Sequence, residues 1–345
     1  MENESGQEWV AQLRPFARAS TRKAVTQLID TLLPFAALLA IQYLTIRWHA
    51  PLWLTLLLAI PTGGFMVRVF ILFHDCAHGS FVESRSALTW IGRVLGFITF
   101  TPYGEWRYSH GLHHSSSGNL DKRGVGDVWT MTAEEYKSRP LWKRLQYRFY
   151  RNPIILFFFG PLFLFLVMNR LPPGTHSKPL RVNSILLNDL VLAASIAFFW
   201  LTIGIKTYLL ILIPTQLVAG FVGIWLFYVQ HQFDPSYWAR SGEWNSVDAA
   251  MSGSSYYKLP AVLQWFSGNI GLHHVHHLLP RIPNYNLRAA LGAIPQLRLK
   301  NPLTISRSIK SIQLNLWDEG AKCLIAFRDL RPARGAQDPG PSLML

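Results

Sequence analysis

The chain has 345 residues, of which 15% are charged and 50% hydrophobic. Soluble globular chains carry about 25% charge, so this one cannot cover a water-facing surface, and its aromatic content, with no Gly period and no sustained heptads, excludes disorder, collagen and coiled coil. The net charge of +14 would suggest nucleic acid in a soluble protein; in a membrane protein the same excess gathers in cytoplasmic segments beside anionic headgroups, and no nucleic-acid partner is expected.

Residues 1–25 are polar and mixed in charge, without the basic-then-apolar order of a signal peptide. Two apolar runs follow, at 27–48, broken only by Asp30, and at 52–73, interrupted by Pro61 and Arg68. Each has about the twenty residues needed to cross ~30 Å of hydrocarbon. The very short turn from Arg47 to Pro51 makes them an antiparallel hairpin, with Trp48 and Trp53 where interfacial aromatics sit. From His74 to Arg151 the chain is polar and basic, and the apolar stretch at 88–101 is too short to span, so it reads as interfacial or buried. Further apolar runs lie at 153–168, 185–203 and 208–229. From Gln230 the chain is polar again, and residues 331–345, with Pro332, Gly335, Pro339, Gly340 and Pro341, read as a disordered tail. Residues 1–330 are expected to form one membrane domain. The two cysteines, Cys76 and Cys323, make no disulfide framework.

Nine of the twelve histidines stand at metal-ligand spacings. His74 and His78 are four apart, on one helical face, where the second apolar run meets water. His110, His113 and His114 form a His-x-x-His-His pattern, as do His273, His276 and His277. His231 stands alone at the end of the last apolar run. Neutral imidazole suits iron, zinc, copper and nickel. Nine such ligands are too many for one ion and suit two, while the absence of Cys-x-x-Cys excludes iron–sulfur and zinc-ribbon sites. His49 and His176 fall in short polar loops and read as solvated, and helix geometry turns His274 away from its neighbours.

The histidine pattern resembles that of the membrane fatty acid desaturases, His-x(3–4)-His, His-x(2–3)-His-His and His/Gln-x(2–3)-His-His. The likeness extends through Glu105-Trp106-Arg107-Tyr108-Ser109-His110, Asn119-Leu120-Asp121-Lys122-Arg123-Gly124, Arg151-Asn152-Pro153, Trp225-Leu226-Phe227-Tyr228-Val229-Gln230-His231 and the segment from Gly268 to Leu278. It covers about residues 25–330 and is nearest to bacterial acyl-lipid (phospholipid) desaturases of the Δ5 and Δ12 types. The resemblance implies a non-haem di-iron centre held by His74, His78, His110, His113, His114, His231, His273, His276 and His277. It also implies O2 as oxidant and the acyl chain of a membrane lipid as substrate. No His-Pro-Gly-Gly of a fused cytochrome b5 domain is present, so the electron donor would be a separate carrier, ferredoxin or flavodoxin. A hydroxylase, epoxygenase or ketolase on the same scaffold is the alternative. A metal transporter would place its ligands in mid-span rather than at span ends.

If all nine histidines meet at one site, an even number of crossings separates each cluster from the next. One of the three later apolar runs then cannot span, and 153–168, the shortest, with Gly160-Pro161, is expected to be interfacial or re-entrant. The expected architecture is an all-α integral membrane protein. Four transmembrane helices, at about 27–48, 52–73, 185–204 and 207–229, carry a cytoplasmic helical cap with the histidine site. Residues 74–151 and 230–345 hold 23 of the 33 Lys and Arg, which by the positive-inside rule makes the histidine side cytoplasmic, in a bacterial inner membrane. Each imidazole's other nitrogen needs an acceptor, for which Asp75, Glu105, Asp121, Asp127, Asp234 and Asn269 are candidates. Arg107, Lys122 and Arg123 read as positive-inside surface and are also able to hold a lipid phosphate.

Overall fold

The structure, a computed structural model, describes residues 2–172, 174, 178–298 and 301–330. His176 and the tail at 331–345 lie outside the described residues. The fold is mostly helical. The polar N-terminal segment is built into it: helix α1 (Glu2–Leu13) buries Leu13 completely against Leu272, Val275, Ile282 and Leu287, with Trp9 and Phe16 packed alongside.

Two long helices form the first hairpin, α2 (Thr21–Arg47) and α3 (Leu52–His78). Ser20 caps α2 by accepting from the Lys23 amide. Proline inside a long apolar helix is tolerated where neighbouring helices re-satisfy the freed carbonyl, and both helices contain one, Pro34 and Pro61. Polar pairs join them: Gln42 Nε2 donates to Thr62 Oγ1 at 2.8 Å, and the Thr45 and Thr55 hydroxyls lie 2.7 Å apart. The two charges that interrupt the apolar runs are partners. Arg68 is 2% exposed, pairs with Asp30 at 3.4 Å, and donates to Thr31 Oγ1 at 2.9 Å. It also donates to the Trp265 carbonyl and lies 3.8 Å over that indole ring. A charge inside a span must be matched by a partner, and here the match ties both spans to the segment that leads to the third histidine cluster.

Gly79, at φ +69°, ends α3 with its amide turned back to the Asp75 and Cys76 carbonyls. The cap then begins with α4 (Arg85–Ile98) and α5 (Tyr103–Ser116). Helix α4 buries Leu88, Gly92, Leu95 and Gly96 and exposes Trp90 and Val94. After α5 come a short strand β1 (Met131–Thr132), α6 (Ala133–Ser138), opened by a Thr132–Glu135 capping box, and α7 (Leu141–Tyr150). Helix α7 leaves Leu141, Trp142, Leu145 and Phe149 exposed on an otherwise basic helix. The chain then bends by 62° into residues 155–170, where a π-helical turn (Ile155–Phe159) leads into α8 (Gly160–Leu166).

The second hairpin is α9 (Pro179–Ile203) and α10 (Ile205–His231), split only by Gly204. Helices α2, α3, α9 and α10 are the four long and apolar enough to cross a membrane, or up to five if the bent pair is one span. Their apolar residues face outward as lipid contact requires: only 17% of the apolar windows of α2 and α9 is buried, against 56% for α3 at the centre. The C-terminal part adds α11 (Ser246–Met251), α12 (Ala261–Phe266), α13 (His273–Leu278), α14 (Asn284–Ala293) and α15 (Ile305–Lys310). Strands β2 (Leu316–Asp318) and β3 (Cys323–Ile325) pair antiparallel, and β2 pairs in parallel with β1. This three-stranded sheet is an addition to the all-helical expectation; strands of two and three residues are too short to show alternation in sequence.

Candidate metal centre

Four segments converge on one site. His74 and His78 occupy the last turn of α3, and His231 is the last residue of α10. His110, His113 and His114 lie on α5, and His273, His276 and His277 on α13. All nine expected residues are brought together, and they divide into two groups: His74, His78, His110, His114 and His276, and His113, His231, His273 and His277. Within each group the candidate ligand atoms lie within 4.8 Å of one another.

The division follows from helix geometry. At about 100° per residue, positions i and i+4 diverge by only ~40°, whereas i+3 points ~60° the other way. On α5, His110 and His114 therefore serve one group and His113 the other; on α13, His273 and His277 serve one and His276 the other. His274 points elsewhere, with its Nε2 2.9 Å from the Leu297 carbonyl, and burial lowers its pKa to about 4.

Within both groups the Nε2 atoms face each other at close range. In the five-histidine group His74–His78, His78–His110, His110–His114 and His114–His276 are separated by 3.3, 3.0, 3.0 and 3.2 Å. In the four-histidine group His113–His231, His231–His273 and His273–His277 are separated by 3.2, 3.1 and 3.0 Å. Burial first, and neighbouring imidazoles second, hold His110, His114, His276 and His277 well below the usual histidine pKa. Neutral rings with lone pairs converging at this range repel one another unless a cation lies between them. Two nitrogens about 2.1 Å from one ion stand about 3.0 Å apart at a right angle and about 3.4 Å apart at a tetrahedral angle. The donor set thus fits a metal ion in each group.

The surroundings sort the candidate acceptors. Asp127 Oδ1 lies 2.6 Å from His113 Nδ1, and Asp75 Oδ1 3.4 Å from His74 Nδ1. The others are engaged differently. Glu105 pairs with Arg181 and Asp121 with Arg240, Asn269 donates to the Asn284 carbonyl, and Asp234 is exposed. For His231 the acceptor is one that sequence reading missed, the Gly253 backbone carbonyl at 3.2 Å, which no side-chain pattern announces. Trp106 was also missed as a site residue; it stacks on His110 with centroids 4.2 Å apart and 18° between planes, and is backed by Phe70 and Phe73 of α3. His49 is exposed in the hairpin turn. Lys122 and Arg107 are exposed, and Arg123 bonds to Glu135.

Comparison with known proteins agrees with this geometry. Residues 12–307 match the profile of a family described as fatty acid desaturase. A fatty acid desaturase of Bacillus subtilis is 42% identical over 320 residues, covering 93% of this chain and 90% of that one. Two proteins of Synechocystis sp. are each 28% identical: an sn-1 acyl-lipid omega-3 desaturase (ferredoxin), over 67% of this chain and 65% of its own, and an sn-1 oleoyl-lipid 12-desaturase, over 69% and 67%.

Proposed function

Because the chain belongs to the fatty acid desaturase family, we propose that it introduces a cis double bond into the acyl chain of a membrane lipid, with two irons held by its nine clustered histidines. The observation that carries this reading is the pair of converging imidazole groups at the ends of α3 and α10. Two groups made wholly of imidazole suit two iron ions. Bound there, the irons supply the reactivity towards O2 that no side chain has. In the overall change one hydrogen leaves each of two adjacent acyl carbons, and with two electrons and two protons from outside O2 becomes two waters.

The protein's own residues prepare that chemistry. Desolvated, neutral rings present their Nε2 lone pairs inward, and Asp127 and Gly253 hold the far nitrogens of His113 and His231. The aromatic wall of Trp106, Phe70 and Phe73 continues α3 towards the site and offers an apolar, water-excluding flank for a methylene chain. The electrons come from a separate soluble carrier such as ferredoxin, as one relative's name indicates for that relative, or flavodoxin. We place the protein in a bacterial inner membrane with the histidine side cytoplasmic, on the weight of basic residues there. Residues 1–330 act as one domain, and the segment bent by 62° is re-entrant, so that the number of crossings stays even.

Two measurements test this reading. Protein purified after iron-replete expression should hold about two irons per chain with imidazole as the dominant ligand; one tightly bound zinc and no iron would overturn the metal assignment. Expression in a host lacking unsaturated acyl chains, followed by double-bond mapping of its lipids, should reveal new unsaturation at one position. Hydroxylated or epoxidised chains in its place would assign the scaffold to a different outcome.

A further inference from the structure

We propose that Asp127 is the positioning residue of the four-histidine group, and that its carboxylate makes the two metal positions electrostatically unequal. The proposal rests on the two-metal reading above. The Nε2 of His113 faces His231 at 3.2 Å, so a metal in that group is met by Nε2 and the ring proton must sit on Nδ1. That Nδ1–H donates to Asp127 Oδ1 at 2.6 Å, with the His113 and Asp127 side chains 1% and 8% exposed. A bond from a ligating imidazole to a carboxylate fixes the tautomer and the ring's orientation and raises the basicity of the nitrogen that meets the metal.

The loop is built for this contact. Gly126 has φ +70°, and a Cβ there would lie 3.2 Å from His113 Cβ and 3.3 Å from the Ser109 carbonyl. The loop backbone therefore rests directly on α5 beneath His113, an approach and a positive φ that favour glycine. The Gly124 amide reaches the second Asp127 oxygen at 3.4 Å. Asp121, six residues earlier, is not equivalent: its carboxylate is taken by Arg240 and the Ser241 amide.

The five-histidine group has no matching contact among the described residues. Its nearest carboxylate, Asp75, is 3.4 Å from His74 Nδ1, and its other oxygen is occupied by the Asn284 amide and side chain at 2.7 and 2.8 Å. The Nδ1 atoms of His114 and His276 have no hydrogen-bond partner among the described residues, nor does that of His273 in the four-histidine group, so the contrast between the groups rests on Asp127 alone. One position thus has five rings and a distant, shared carboxylate. The other has four rings and a close carboxylate that offsets one unit of metal charge and compensates for the missing ligand.

The test uses the full chain in detergent, loaded with iron-57. Asp127→Asn keeps an acceptor for His113 and removes only the charge, while Asp127→Ala removes both. Chelator competition should release one of the two irons from Asp127→Asn about 10–100-fold more readily than from the parent protein, and Asp127→Ala should retain only the other. In Mössbauer spectra one of the two iron signals should change in Asp127→Asn, the same one that His113→Ala abolishes, while the second keeps its parameters. The unfolding temperature of the metal-free Asp127→Asn variant should match that of the metal-free parent. Parent-like chelator resistance with both signals unchanged would overturn the proposal and leave the two-metal reading standing, as would a destabilised metal-free fold whose spectra are unchanged. A parent protein that binds no iron would overturn that reading and this proposal with it.

Discussion

His231→Ala is expected to carry about one iron per chain and to make no unsaturated product. His231 has the weakest local signal of the nine, since nothing in its sequence neighbourhood repeats its chemistry. Its position decides the matter: 7% exposed, it stands with Nε2 3.2 Å from that of His113 and 3.1 Å from that of His273. It therefore links the α5 and α13 contributions to the four-histidine group. Removing it leaves three rings, one short of the set. His276→Ala draws instead on the five-histidine group, so it should empty the other position and also stop turnover. Iron content and lipid product should be read on the same preparations. Two irons with near-normal turnover in His231→Ala would remove His231 from the ligand set, and His274, though it now bonds to Leu297, would have to be reconsidered.

Arg151→Met should lower the unfolding temperature of the detergent-solubilised protein more than any surface substitution. Arg151 is 3% exposed and lies where α7 ends. It donates to the Trp129 carbonyl at 3.3 Å, to Tyr228 Oη at 3.1 Å, to Gln232 Oε1 at 3.2 Å, and to the Leu314 carbonyl. Three separated parts of the chain thus meet on one guanidinium, and Gln232 directly follows His231. Methionine has a similar length but no donors, so acceptors are stranded in a dry interior. Bonds to a charged group contribute about 1.5–3 kcal/mol each, and a stranded acceptor costs about 1–3 kcal/mol, so a loss of about 3–5 kcal/mol is expected after non-additivity. An unchanged unfolding temperature would show that water reaches these groups and that the arginine is dispensable.

The nine histidines were legible because ligand chemistry imposes spacing, and spacing survives in sequence. Their partition was not. His110, His113 and His114 look like one face on a single helix; whether the ~100° between i+3 and i+4 matters depends on which neighbouring helices receive them. Long apolar runs disclosed the four spans, since lipid demands continuity, whereas the pairing of Asp30 with Arg68 was hidden. Each residue interrupts its own run, and only the packing of α2 on α3 joins them. Asp121 and Asp127 are both acidic residues in a glycine-bearing loop, and what separates them is a positive φ at Gly126 and the Arg240 that claims Asp121. Helix α1 escaped notice because its apolar content is modest and its burial depends on the cap built from residues 272–297.

Each histidine group draws on α13, and this has a consequence for biosynthesis. Residues 273–277 leave the ribosome after both hairpins, so neither histidine group can be complete until α13 has been made. A metal therefore cannot template the early insertion steps, and a nascent chain stalled before α13 exposes at most five rings of the eventual nine in the α3–α5 region, with His231 waiting. Metal loading of either group therefore waits until α13 has been made.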